Sequence, residues 1–295
     1  MLGDDRIKFL HGQVTNDIRR LGNGQGCYAA LTDNKGRIQS DLNVHLLADE
    51  LLLDFEPGYA GTVTERLERF MVADDVELFD VGESFGLISV LGPRAAAVYA
   101  RLNLGELPAH PHDIVATEDT TLGQLYIANH ARLGAAGFDC YIPEEALPAV
   151  HDKMVAAAKA EDGGAVGWEA FETARIVAAI PRYGQDMTDA NLAPEAALEE
   201  RAISYNKGCY IGQEVLNRVH NFAQLSKKLR PLRFTGERLP APGDDVTCGG
   251  KKAGTITSAV RHPANGMAVG LGYVRKEFGE AGLSLEGEGF AANVV

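Results

Sequence analysis

The chain has 295 residues, with 28 Lys and Arg against 41 Asp and Glu, a formal net charge of −13. That balance argues against a surface built for non-specific nucleic-acid binding. Hydrophobic residues at 45% and charged residues at 23% are the proportions of a soluble globular protein, and the length suits two or three domains.

No apolar run reaches the ~18 residues of a membrane span. The start, Met1-Leu2-Gly3-Asp4-Asp5-Arg6, is polar and lacks the apolar core of a signal peptide. Cys27, Cys140, Cys209 and Cys248 are far apart, with no C-x-x-C pair. Such usage argues for a reducing, cytoplasmic setting. It argues against a disulfide framework, a closed zinc site, or an iron–sulfur cluster held by this chain alone.

Residues 6–21 place Phe9, Leu10, Val14 and Ile18 near helical spacing and predict a helix. His11 reads as a surface histidine on it. Residues 26–47 predict a β-hairpin around Thr32-Asp33-Asn34-Lys35-Gly36, where Asp, Asn and Gly supply turn chemistry. Its second strand alternates around Leu42, Val44 and Leu46. Asp41, Asn43 and His45 then either line a pocket or face solvent. A strand at 51–55, a helix at about 59–70, and strands near 76–79 and 85–91 follow. Pro93 fits a helix start for 94–102.

Residues 103–123 read as loop with at most one strand. His110-Pro111-His112-Asp113 invites a metal reading, but no further ligand cluster is visible, so a polar surface loop is preferred. A strand at 125–131 leads through a Gly-rich turn into another ending at Ile142. Glycines without a following helix and Lys do not make a phosphate loop. A helix at 144–159 ends at Gly163-Gly164, and one at 168–179 stops before Pro181. A further helix runs through Ala202.

The densest chemistry lies in Asn206-Lys207-Gly208-Cys209-Tyr210-Ile211-Gly212-Gln213-Glu214, followed by a short helix that starts near Gly212. Unpaired N–H groups at a helix start favour negative charge, and Lys207 adds a second positive influence. Both lower a thiol pKa and raise the reactive thiolate fraction. Gly208 and Gly212 let backbone N–H groups approach a ligand. The competing reading is a tight turn with a buried, inert Cys. From residue 201 to 233, seven Lys and Arg, Arg218 among them, stand against Glu214 alone, leaving a segment of +6. Such an island suits an anion, or it pairs with the protein's own carboxylates. Beyond residue 229, short strands separated by Pro and Gly turns predict a small barrel. The expected division is 1–228 and 229–295.

The octapeptide at 207–214 resembles the signature of the YgfZ-type folate-binding proteins. These are relatives of the glycine cleavage T-protein, and they include mitochondrial counterparts in iron–sulfur cluster assembly. Phe9-Leu10-His11-Gly12-Gln13-Val14-Thr15-Asn16-Asp17 is similar to that family's opening helix, although the strand that usually precedes it is absent or shortened here. The resemblance implies an α+β fold: interleaved T-protein-like subdomains around a central cavity, plus a terminal small β-barrel. It implies bound tetrahydrofolate or a derivative, and iron–sulfur client or assembly proteins as partners. It implies an essential thiolate at Cys209, with Lys207, Gly208, Tyr210, Gly212, Gln213, Glu214 and Arg218 around the ligand. Two departures weaken the alternative, an active folate-dependent aminomethyltransferase. Val177 stands where the T-protein's glutamate bonds the pterin ring. Residues 57–64 contain no acid to match the aspartate that assists transfer, although Asp54 and Glu56 lie just upstream. A third reading is a tRNA-linked RNA-binding module on the basic strip, which lacks the interleaved aromatics that stack bases.

Overall fold

Burial alternates from Ile38 to Val44, as it must when one face of a strand enters a core. The computed structural model describes residues 1–222 and 225–295. The chain forms two units, residues 1–29 with 42–167, and residues 30–41 with 168–295. The predicted hairpin is therefore shared between them. No helix among the described residues is long and apolar enough to cross a membrane.

In the first unit α1 (Arg6–Gln13) buries Phe9 and Leu10. It ends earlier than expected because Val14 is extended and Asp17 accepts the Arg19 N–H to open a separate 3-10 turn. His11 is buried beside Asp17 at 3.3 Å, which corrects its reading as a surface residue. Strands β1 (Gln25–Thr32), β2 (Ile38–Leu46) and β3 (Leu51–Asp54) form one sheet in that order, and α2 (Ala60–Glu68) follows. The strand expected at 76–79 is reduced to a single bridge between Leu2 and Glu77. A second sheet has the order β4-β7-β6-β5, from β4 (Phe85–Leu91), β5 (Ile114–Asp119), β6 (Gly123–Asn129) and β7 (Gly137–Pro143). Helices α3 (Ala95–Leu102) and α4 (Leu147–Ala160) pack Tyr99, Val150 and Met154 onto Leu125, Ile127 and Ile142 of that sheet.

The second unit holds α5 (Trp168–Val177), the short α6 (Glu199–Ala202) and α7 (Gln213–Asn221). The barrel follows: β8 (Lys227–Gly236), β9 (Asp245–Cys248), β10 (Lys251–Arg261), β11 (Ala268–Arg275), β12 (Ser284–Gly287) and β13 (Phe290–Val294). They close in the order β10-β11-β8-β13-β12-β9, which removes open strand edges. Leu232, Phe234, Ile256, Val274 and Phe290 fill the interior. Strand β13 pairs with both β8 and β12 and so completes the ring.

A buried ionic clamp ties α5 to the barrel. Arg175 donates to Glu172 twice, at 2.9 Å each, and to Asp186 and Ser258. Asp186 accepts from Thr257 and Ser258 of β10, both at 2.6 Å, and from the Arg182 backbone N–H.

Candidate functional site

Residues 206–212 enter α7 through Gly212, whose φ of 89° is a left-handed conformation suited to glycine. Space also demands glycine there. A Cβ on Gly212 would lie 2.6 Å from the Asp33 carbonyl oxygen and 2.8 Å from Thr32 Oγ1. The Thr32 hydroxyl donates to the Ile211 carbonyl at 2.6 Å. On the hairpin turn, a Cβ on Gly36 would meet the Leu216 side chain at 3.2 Å. Backbone contact and one hydroxyl thus fix the loop on the turn at 32–36. Gly212→Ala combines a left-handed penalty with overpacking, and is expected to lose about 2–4 kcal/mol. Urea denaturation checks the stability. Faster thiol labelling of Cys209 in native buffer reports the loosened loop.

The sequence-predicted residues divide by burial. Lys207 and Tyr210 are buried, and the Lys207 ammonium lies 4.8 Å from the Tyr210 ring centroid, a cation–π contact. The Tyr210 hydroxyl is enclosed with no hydrogen-bond partner. Burial pushes it up to about 12, so it stays a donor. Gln213 reaches back to the Gly208 carbonyl at 3.4 Å. Gly208, Cys209, Glu214 and Arg218 are exposed.

Three residues that the sequence did not single out, His220 of α7 with Tyr205 and Glu199, form a cluster beside the loop. The Tyr205 and His220 rings stack at 3.7 Å, and both hydrogen-bond Glu199 at 2.9 Å. Burial alone would raise the Glu199 carboxyl, but the bonds from His220 and Tyr205 win and hold it below the usual range. Glu199 lies six residues from Tyr205 and 21 from His220, spacings that match no single helical or strand period.

The first unit holds a second polar cluster. His45 Nδ1 contacts the His112 carbonyl at 3.0 Å. A carbonyl only accepts, so the proton sits on Nδ1, and the buried Nε2 has no partner. His130 Nδ1 bonds Asp139 at 2.6 Å, Ser89 donates to Asp139 at 2.5 Å, and Asn43 donates to Asp54 at 3.0 Å. Ring centroids are 5.0 Å apart for His45 and His130, and 5.6 Å for His112 and His130. Burial and the neighbouring His130 push His45 down to about 3. Burial would raise Asp139, yet Arg132, His130 and Ser89 pull it below the usual range.

The segment at 110–113 is therefore more than a solvated loop, because His112 is half-buried, with φ 67°, against His130. Among the described residues, ligand atoms of Asp54, His130 and Asp139 lie within 4.8 Å of one another. The cation between the carboxylates is supplied by the chain itself: Arg132 donates to Asp139 at 2.6 Å and to Asp54 at 2.7 Å. Arg132, Asp54, Asp139 and His130 form an ion-pair network in which the buried His130 Nε2 has no hydrogen-bond partner.

The profile of the GCVT N-terminal domain matches residues 1–207, and that of the glycine cleavage T-protein C-terminal barrel domain matches residues 227–295. A chloroplastic protein of Arabidopsis thaliana, named as a candidate transferase, is 28% identical over 281 residues. The match covers 95% of this chain and 63% of that relative, so this chain spans less than two thirds of its length. The aminomethyltransferases of Rubrobacter xylanophilus and Thermotoga maritima are each 26% identical, over 93% of this chain and 73% and 74% of theirs. The crystal structure of glycine cleavage system aminomethyltransferase T from Bartonella henselae superposes with a TM-score of 0.88 at 22% identity, covering 99% of this chain and 81% of that one. At that identity the likeness concerns fold: a T-protein-like α/β body with a terminal closed barrel. With both profiles matched, the chain belongs to the glycine cleavage T-protein family.

Proposed function

We propose that this protein is a tetrahydrofolate-binding accessory factor for the assembly or maintenance of iron–sulfur enzymes, acting through Cys209 on client or assembly proteins. The observation that carries the reading is the loop itself. Cys209 is the exposed cysteine among the described residues, on a backbone held by Gly212 and Thr32. A thiol so presented can attack an electrophile, be oxidised, or ligate a soft metal in transit.

The residues fit a folate by its acceptor groups. The enclosed Tyr210 hydroxyl and the Lys207 ammonium suit carbonyl and carboxylate oxygens, and Arg218 suits the anionic tail. The pterin ring also presents N–H groups. Val177, 37% exposed at the end of α5, can pack against the ring but cannot accept from it. Glu172 and Asp186, which flank Val177 along the chain, are engaged with Arg175. When bound, tetrahydrofolate supplies one-carbon carrier chemistry. The chain supplies a held loop and a thiol.

The second reading is an aminomethyltransferase, favoured by the relatives of that name matched over most of the chain. Calorimetric titration of tetrahydrofolate into wild type and Cys209→Ala separates the two, together with an assay for ammonia release from an aminomethyl-lipoyl carrier. Micromolar binding to both proteins is expected, with no ammonia released. In cells lacking the protein, Cys209→Ala is expected to leave iron–sulfur enzyme activity unrestored. Absence of binding to wild type removes folate from the proposal. Ammonia release establishes the second reading.

A further inference from the structure

In the barrel, β8 and β11 pair antiparallel with Lys227 directly opposite Arg275 and Leu229 opposite Tyr273. Alternation puts these four residues and Leu271 on one face. Leu229, Leu271 and Tyr273 pack there with Ala179, apart from the barrel interior. Like charges at directly opposed positions destabilise a sheet. Among the described residues no carboxylate pairs with either Lys227 or Arg275 to relieve that repulsion. The Lys227 ammonium lies 4.7 Å from the Tyr273 ring centroid.

Both cations line a cavity of about 430 Å³, with Lys252, Tyr273, Thr257 and Asp186 also on its wall. The volume falls among small-molecule sites. Lys252 is paired with Asp245 at 2.7 Å. Among the described residues Asp186 is the one carboxylate on the wall, and its charge is paired with the Arg175 guanidinium. One oxygen takes Arg175 and the Arg182 N–H, and the other takes Thr257 and Ser258. Tyr273 carries a buried hydroxyl with no partner. Burial, with Glu195 and Asp186 nearby, pushes its pKa up and keeps the proton on.

We propose that this cavity binds a compact polyanion, with Lys227 and Arg275 together gripping its clustered anionic oxygens. The lining shares no residue with the loop at 207–214, so the proposal stands independently of the folate reading. Phosphate esters and linked carboxylates present the same chemistry, and two probes tell them apart: inorganic pyrophosphate and a γ-linked triglutamate.

Each probe is titrated by calorimetry and by thermal melting at low salt. The proteins are wild type, Lys227→Gln, Arg275→Gln and the double variant. Wild type is expected to bind one probe saturably and to melt at a higher temperature with it. Each single variant is expected to bind roughly tenfold more weakly, and the double variant not at all. Response to pyrophosphate alone assigns phosphate, and response to triglutamate alone assigns carboxylate. Ligand-free Arg275→Gln is expected to melt no lower than wild type at low salt, because its loss relieves a repulsion. No saturable response to either probe overturns the proposal. So does an undiminished response in the double variant, or a lower ligand-free melting point for Arg275→Gln, which would make the pair structural.

Discussion

Asp186→Ala is expected to lose about 3–5 kcal/mol of stability, among the largest losses available to a single substitution in this chain. The side chains of Arg175 and Asp186 are 3% and 0% exposed. Removing the carboxylate leaves a guanidinium in the interior with Glu172 as its remaining ionic partner. It also leaves the buried Ser258 hydroxyl without its acceptor, while Thr257 keeps the Leu271 carbonyl. Unpaired buried donors carry a desolvation penalty that a merely absent contact does not. Trp168 gives the readout, because it is the single tryptophan of the chain, lies in α5, and has the Arg182 guanidinium 4.6 Å from its ring. Its fluorescence should lose the native signal at a markedly lower urea concentration in the variant. Replacing both ions together, as Arg175→Met with Asp186→Leu, should recover much of the loss, since an apolar pair of similar volume has no charge to desolvate. If the double variant is as unstable as the single one, the clamp acts through geometry and not through charge burial.

The second large effect is acid sensitivity of the first unit. His45 is fully buried and held near 3, against about 6.5 for an unfolded histidine. Its folded pKa lies below its unfolded value. Below pH 6.5 the unfolded chain therefore takes a proton that the folded chain refuses, and stability falls as pH drops. The fall levels off near pH 3, where the folded form charges too. Each pH unit across that window removes about 1.4 kcal/mol, several kcal/mol in all. Asp139 adds to the acid limb with the same sign, because its lowered carboxyl loses the contacts to Arg132 and His130 on protonation. His45→Gln keeps a donor for the His112 carbonyl and has no titrating ring. Its stability-versus-pH curve between 6.5 and 3 should be distinctly flatter than that of wild type. Equal slopes would place the acid sensitivity elsewhere.

What the sequence made legible was local. The turn at 32–36, the alternation in β2, the start of α7 and the Gly- and Pro-punctuated barrel strands follow from chemistry within a few residues. Contacts joined across long stretches were hidden. Thr32 and Ile211 are 179 residues apart, and His45 and His112 are 67 apart. His11 looked like a surface residue because its helix has a weak apolar stripe, and Asp17, which buries it, lies beyond the helix end. The segment at 76–79 has strand-like composition, but among the described residues its ladder is the single bridge from Glu77 to Leu2. The candidate loop shows the same split. Its thiol, glycines and basic neighbours are plain in the sequence, whereas its anchors, Thr32 and the hairpin turn, belong to a strand pair completed far upstream.

That separation sets an order of events during synthesis. The turn at 32–36 leaves the ribosome some 180 residues before the Gly212 backbone that fits against it, and the barrel follows later still. Chains emerge at about 5–20 residues per second, so the exposed turn waits on the order of ten seconds or more for its partner. Residues 30–41 cannot complete their unit before the rest of it arrives. The thiol at 209 therefore takes its final setting only after that interval, and until then the turn lacks the loop backbone that packs against it.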